Sequence, residues 1–116
     1  MERILGDLNK AAGIQGSIII GKDGIVIASE LLDEMDEEMV SALGSSIILS
    51  SEKVAEKMQH GNVVSILIET DKSKWCIHRI SIGYLIAIAH TDVNLGLLRV
   101  EIRDAALKID NKSIGM

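Results

Sequence analysis

The sequence has no phenylalanine and no proline, and it holds one cysteine, one tryptophan and one tyrosine. Because base stacking needs several aromatic rings, a nucleic-acid stacking platform is not expected. One cysteine allows neither an internal disulfide nor a cysteine-rich metal site. The net charge of −5 opposes binding to a phosphate backbone, which depends on clustered Lys and Arg. The composition therefore argues against nucleic acid as a partner and against a cysteine-rich metal site, and we expect no cofactor.

Long apolar runs are also missing, and the longest aliphatic run covers only residues 84–89. The first residues carry no basic segment followed by an apolar stretch and a cleavage site. We therefore expect a cytoplasmic protein that does not insert into a membrane. A length of 116 residues with 47% hydrophobic residues predicts one domain over 1–116, with a core of Ile, Leu, Val, Met and Ala.

Apolar periodicity predicts an ordered series of helices and strands. In chain order these are a helix over 1–12, strands over 16–21 and 25–29, a helix over 36–59, strands over 63–70, 74–80 and 84–90, and a helix after Asn94. The short connections require antiparallel neighbours, and both sheet faces are apolar enough to need a helical layer. The order α-ββ-α-βββ-α therefore predicts an α/β (α+β) fold, a three-layer α/β/α sandwich around a five-stranded antiparallel sheet.

The predicted turns at 71–73 and 81–83 set a register in which Cys76 and His78 share the sheet face of Ile86. His78 then lies opposite Ile86, and no set of metal ligands forms around it. Two interpretations of Cys76 and His78 stay open. They form either a Cys–His nucleophile or an inert buried thiol beside a core histidine.

Residues 16–22 match the first part of a phosphate-binding loop, G-x-x-x-x-G-K. The intervening Ser-Ile-Ile-Ile favours an extended strand over a curved loop that binds an anion. Asp23 stands where a Ser or Thr would bind magnesium, and Gly24 leads into a second strand instead of a helix. The segment is therefore predicted to be a β-hairpin that binds no nucleotide.

The long predicted helix carries three stripes at helical spacing. The stripe assigned to the core consists of Met39, Leu43, Ile47, Val54 and Met58. A second stripe consists of Gly44, Ile48, Ser51 and Ala55. This second stripe either completes the same core or forms a helix–helix dimer seam. A third side carries Leu49 beside small residues, and it is either an ordinary exposed leucine or part of a docking surface.

The chain resembles the Roadblock family of dynein light chains. The resemblance rests on the hairpin Gly16-Ser-Ile-Ile-Ile-Gly-Lys-Asp-Gly24, the strand Gly83-Tyr-Leu-Ile-Ala-Ile-Ala89 and the following Asn94-Leu-Gly-Leu-Leu98. The chain is also similar to the bacterial and archaeal members that regulate small Ras-like GTPases. The similarity runs from about residue 5 to residue 109 and implies a profilin-like fold.

The resemblance further implies a homodimer, or a heterodimer with a paralogue, in which third strands pair and long helices lie side by side. Carried onto this sequence, the dimer residues are Gly44, Ile48, Ser51, Ala55, Val63, Ser65 and Leu67. The partner would bind the surface formed by the paired helices. The residues carried over for that surface are Ala42, Ser45, Leu49, Glu52 and Lys53.

The resemblance thus implies a non-enzymatic module, without catalytic residues, that binds and regulates a small Ras-like GTPase. The main alternative is a structural adaptor of a motor or signalling complex that does not respond to nucleotide state. A small-molecule sensor and a hydrolase that uses Cys76 or His78 are the remaining alternatives.

Overall fold

A computed structural model describes residues 1–11, 13–32 and 34–114, apart from the side chains of residues 113 and 114. The elements are α1 (Glu2–Asn9), β1 (Ile14–Gly21), β2 (Val26–Glu30), α2 (Glu37–Met58), β3 (Ser65–Glu69), β4 (Ser73–Ile80), β5 (Gly83–His90) and α3 (Leu95–Ile114). The predicted order α-ββ-α-βββ-α is confirmed. The first helix ends at Asn9, earlier than predicted, and Ala12 lies outside the described residues.

Within the described chain, the five strands form one antiparallel sheet in the order β2-β1-β5-β4-β3. The central strand β5 is buried from Gly83 to Ala89. A strand buried on both faces has a nearly continuous apolar sequence, because helices cover it from both sides. The edges of the sheet are β2 and β3.

Helices α1 and α3 cover one face of this sheet, and α2 covers the other. Leu85 packs in one cluster with Leu5 of α1 and Ile102 of α3. The next residue, Ile86, packs in the opposite cluster with Ile48 of α2. Successive side chains of β5 therefore enter opposite layers, as the two-residue period of a strand requires. The three-layer sandwich is confirmed.

The predicted register of β4 is wrong by one residue. His78 pairs with Leu85 and not with Ile86. The turn between β4 and β5 contains two residues, 81–82, whereas the sequence interpretation allowed three. A shift of one residue turns a whole strand over. Cys76 therefore packs in the cluster beneath α1 and α3 instead of the α2 layer.

Helix α2 has 22 residues, and a capping residue defines each of its ends. The Asp36 carboxylate caps its start by accepting hydrogen bonds from the backbone N–H of Glu38 at 3.0 Å and of Met39 at 3.4 Å. Its end is Gln59, whose φ of 57° is left-handed. The helix is about 33 Å long at the usual rise per residue. No helix in the described ranges is both long and apolar enough to cross a bilayer.

Candidate functional site

The face of α2 that packs on the sheet has a glycine between two aliphatic residues. Val40, Gly44 and Ile48 are its buried residues. A Cβ atom at Gly44 would lie 2.6 Å from Cδ1 of Ile86, which is fully buried. The missing side chain therefore lets the helix approach the sheet closely.

The prediction that the larger apolar residues of α2 form its core stripe is wrong. Met39, Leu43, Val54 and Met58 are each 50–60% exposed. Only Ile47, at the border of this group, is half-buried and packs against the core. The exposed stripe, as we name it, consists of Met39, Leu43, Ile47, Val54 and Met58. Helical geometry puts it about 90° around the helix from the buried residues, so one flank of α2 is apolar and open.

The helix residues predicted for a dimer seam lie on the core-facing side of α2. Gly44 and Ile48 are buried against their own sheet, and Ser51 and Ala55 are half-buried. A side chain enclosed by its own sheet has little surface left for a second helix. Of the two interpretations that the sequence leaves open, the packing of Gly44 and Ile48 favours completion of the core.

Strand β3 is an open edge of the sheet. Of the described strands only β4 pairs with it, so the backbone groups on its outer side have no strand partner. Ser65 is exposed at the start of β3, Leu67 is half-buried, and Val63 is half-buried just before the strand. In the layer of α2, the neighbouring Ile66 and Trp75 are only half-buried. This edge and the sheet face beside it are therefore open in the protomer.

A cavity of about 710 Å³ opens on the flank of α2 opposite the exposed stripe. Three predicted partner-binding residues line it, namely Ser45, Leu49 and Glu52. The other two, Ala42 and Lys53, are exposed on α2 outside the cavity. Leu49 is 65% exposed, as expected for a large aliphatic side chain on the solvent side of the helix. The structure thus brings three of the five residues together around one concave surface.

Tyr84, which the sequence interpretation did not select, lies in the floor of this cavity. Its Oη donates a hydrogen bond to Oε2 of Glu52 at 3.0 Å. Burial raises the pKa of Tyr84, and the hydrogen bond and charge of Glu52 raise it further, while the charge of Arg79 lowers it. Glu52, Arg79 and the phenol therefore form one interacting group. One feature of the sequence could have indicated Tyr84: it is the only tyrosine, and it stands at the start of an otherwise aliphatic strand.

The surroundings of Cys76 favour an inert thiol. Burial raises the pKa of Cys76, against a smaller lowering by the charge of Arg99, so the thiol stays protonated and weakly nucleophilic. The imidazole Nδ1 of His78 donates to the backbone carbonyl of Arg79 at 2.8 Å. Among the described residues, no group of three His, Cys, Asp or Glu side chains could hold a metal ion.

A family model described as the Roadblock/LC7 domain matches residues 1–90. The chain belongs to the Roadblock/LC7 family. This confirms the family resemblance inferred from the sequence. The Roadblock/LC7 chain is 38% identical over 109 residues to the uncharacterized proteins MJ1340 and MJ0310 of Methanocaldococcus jannaschii. Each alignment covers 94% of this chain and 96% of the relative.

Solved structures share the Roadblock/LC7 fold with this chain. Myxococcus xanthus MglB aligns with a TM-score of 0.92 at 17% identity, over 99% of this chain and 95% of that one. A Roadblock/LC7 domain from Streptomyces avermitilis aligns with a TM-score of 0.90 at 15% identity, over 98% of both chains. At these identities the likeness establishes the fold alone.

Proposed function

We propose that this Roadblock/LC7 chain is a non-enzymatic dimeric module that binds a small Ras-like GTPase and regulates it. The observation that carries the proposal is the arrangement of α2. One flank of this helix is an exposed apolar stripe, and the opposite flank borders an open cavity. A helix with two free flanks can pair with its copy on one side and hold a partner on the other.

The dimer would form through the exposed stripe and the β3 edge. Fully burying one large aliphatic side chain stabilises an interface by about 1.5–3 kcal/mol, and each copy would contribute several from this stripe. Pairing of β3 with the partner's β3 would satisfy the open backbone groups around Val63, Ser65 and Leu67. The stripe replaces Gly44 and Ile48 as the helix part of the seam. Self-association is also described for a structural neighbour, MglB with a tetrameric arrangement.

The partner would bind the side of α2 that carries Ala42, Ser45, Leu49, Glu52 and Lys53. The family resemblance implies a small Ras-like GTPase as this partner, or a companion subunit in place of the second copy. A surface without a nucleophile can still regulate a GTPase, because it can bind one conformation of the switch regions more tightly than the other. The chain would then change the nucleotide state of its partner without contributing a catalytic group.

The proposal is tested with the Ras-like GTPases encoded in the same genome, each purified and loaded with GDP or a non-hydrolysable GTP analogue. Calorimetric titration should identify one GTPase that binds the chain with different affinities in its GDP and GTP-analogue forms. We expect the two affinities to differ at least about tenfold, equivalent to ~1.4 kcal/mol. Equal affinity in both states would favour the structural adaptor. Binding by none of the GTPases would overturn the proposal.

Leu49→Asp is expected to weaken this binding at least about tenfold, because it places a charge at an apolar contact. Because Leu49 is solvent-exposed, the melting temperature of Leu49→Asp should equal that of the wild type. Leu107→Asp is the matched control, since Leu107 lies on α3 and is similarly exposed at 62%. A large loss of melting temperature in Leu49→Asp, or equal loss of binding in both variants, would contradict the assignment of this surface.

A further inference from the structure

The cavity beside α2 is lined by charges of both signs. Lys22 and Asp23 in the β1–β2 turn and Arg79 near the end of β4 line one side, and Glu52 and Glu56 of α2 line the other. Neither Lys22 nor Arg79 forms an ion pair with an acidic side chain that the structure describes. Two cations are therefore available on the wall formed by the sheet.

Lys22 and Arg79 line two neighbouring cavities. A second cavity of about 300 Å³ is also lined by Lys22, Arg79 and Ile80. Its remaining wall includes Ser81 and Asp110, and the Asp110 carboxylate already accepts hydrogen bonds from the Ser81 N–H at 2.9 Å and hydroxyl at 3.0 Å. Oδ1 of Asp110 thus holds the β4–β5 turn, and Lys22 and Arg79 line both cavities.

The floor of the larger cavity consists of aliphatic side chains beside the Tyr84 ring. Ile20, Ile48 and Ile80 line it and are almost fully buried. Leu49 adds an exposed aliphatic side chain at the rim. A volume of about 710 Å³ lies within the range of ligand-sized pockets, roughly 300–1,000 Å³. An apolar floor beside two cations suits an acidic residue that is next to an apolar one.

The lysine of the phosphate-loop-like motif is part of this wall. The chain continues from Gly24 into strand β2, so no helix N-terminus supplies the backbone N–H groups that hold a phosphate. The Asp23 carboxylate accepts a hydrogen bond from the Ile25 N–H at 3.0 Å and holds the turn. The ammonium of Lys22 is therefore positioned as a single charge at a cavity rim, which suits a carboxylate.

We propose that this cavity receives a loop of the bound GTPase that carries an Asp or Glu beside an apolar residue. This inference rests on the proposed function. The carboxylate of the loop lies between Lys22 and Arg79, where a guanidinium can bind it through two parallel hydrogen bonds. The apolar side chain packs on Leu49. Glu52 and Glu56 repel a second acidic residue on the helix side, so the charge pattern fixes the direction in which the loop enters.

The test uses the GTPase that binds the wild-type chain and compares Arg79→Ala and Lys22→Ala with Arg103→Ala. Arg103 is exposed on α3 away from both cavities, so its replacement removes the same charge as a matched control. Arg79→Ala is expected to weaken binding at least about tenfold and Lys22→Ala about threefold to tenfold, with the control changed less than about twofold. The wild-type association rate should fall with added salt, and the fall should be smaller in the Lys22→Ala, Arg79→Ala double variant.

Charge reversal identifies the carboxylate on the partner. Arg79→Glu should abolish binding, and one Asp→Lys or Glu→Lys variant in a surface loop of the GTPase should restore it. If Leu49→Asp abolishes binding while Lys22→Ala and Arg79→Ala leave it unchanged, the cavity inference fails and the proposed function stands. If no GTPase binds the wild-type chain, the proposed function fails first. If octanoate raises the melting temperature of the wild type but not of Arg79→Ala, while Arg79→Ala binds the GTPase as tightly as the wild type does, the cavity holds a small organic anion and the loop is excluded.

Discussion

Tyr84 is the only tyrosine in the chain, so absorbance near the phenolate band reports the ionisation of one residue. Its pKa is raised by burial and by Glu52. We therefore expect a spectroscopic titration to show ionisation above the ordinary tyrosine value of about 10. Glu52→Gln should move the midpoint to lower pH, because it removes the negative charge beside the phenol. A midpoint unchanged by Glu52→Gln would contradict the hydrogen bond between them.

The same shift makes stability depend on pH in the alkaline range. The folded-state pKa of Tyr84 lies above its unfolded-state pKa, so folding favours the protonated phenol. The stabilisation is fully present below the unfolded-state pKa, about 10, and is lost as the pH rises through the folded-state pKa. Tyr84→Phe removes this dependence and should lower the free energy of unfolding at pH 7 by about 0.5–1.5 kcal/mol.

Gly44 allows α2 to approach the sheet closely. A Cβ atom there would contact Cδ1 of Ile86 at 2.6 Å, which forces the buried side chain to shift. Overpacking costs about 1–3 kcal/mol and the gain in helix propensity from Gly to Ala is about 1 kcal/mol, so Gly44→Ala should lose up to about 2 kcal/mol of stability in chemical denaturation.

Gly6→Ala is the control for Gly44→Ala. Gly6 also lies within a helix, and a Cβ atom there meets nothing within 4 Å. It should therefore stabilise the chain by about 0.5–1 kcal/mol. Stabilisation by both substitutions would mean that Gly44 does not pack on the sheet.

At the scale of the elements, helix α2 depends on a defined start. The Asp36 side chain accepts hydrogen bonds from two backbone N–H groups of the first turn. Asp36→Ala should lower the free energy of unfolding by about 1 kcal/mol, whereas Asp36→Asn keeps an oxygen acceptor and should cost only a few tenths. Urea denaturation followed by circular dichroism measures both. Equal losses in the two variants would assign the effect to charge and not to capping.

The sequence predicts the order of the elements well, because helical and strand periodicity are local properties. It predicts poorly which side of α2 packs against the sheet. The interpretation gave the core to Met39 and Leu43 because they are large and apolar, whereas close approach to the sheet requires small Gly44 at the contact. Two apolar stripes on one helix cannot be ranked from one protomer's sequence, since a large apolar side chain also suits an interface between chains.

The error in β4 has a different cause, which lies in turn length. Residues 71–73 and 81–83 contain the turn residues Asp, Ser and Gly, but only two residues of each segment form the turn. Hairpin turns of two and of three residues fit the same local sequence here, and the choice reverses the facing of every side chain. The candidate site was less affected. Helical spacing placed Leu49 and Glu52 on one side of α2 and the family resemblance selected them, while Lys22, Arg79 and Tyr84 come together only through the folded sheet.

At the scale of the whole molecule, the two free flanks of α2 point in opposite directions. In the proposed dimer, a twofold axis would pair the exposed stripes and join the two β3 edges, which would extend the sheet across both copies. Each copy would keep its own cavity on the flank of α2 away from the paired stripes. The proposed dimer therefore presents two identical sites, and whether both can be filled depends on the size of the partner.

The exposed stripe makes the dimer directly testable. Leu43 is half exposed in the protomer, so Leu43→Asp costs the isolated fold little. In the proposed seam it buries a charge in an apolar contact, which is strongly unfavourable. We expect sedimentation equilibrium to show a dimer for the wild type and at least about a tenfold weaker self-association for Leu43→Asp, with unchanged circular dichroism.

Two control variants separate this interface from the core and from the rest of the surface. Val100→Asp alters an aliphatic residue of α3 that is 62% exposed, and it should leave the dimer intact. Ile48→Asp alters the buried face of α2 and should unfold the protomer, because Ile48 packs against its own sheet. If Ile48→Asp instead gives a folded monomer while Leu43→Asp stays dimeric, the seam lies on the small-residue side of α2. If the wild type is monomeric at high concentration, the proposed dimer through the exposed stripe is wrong.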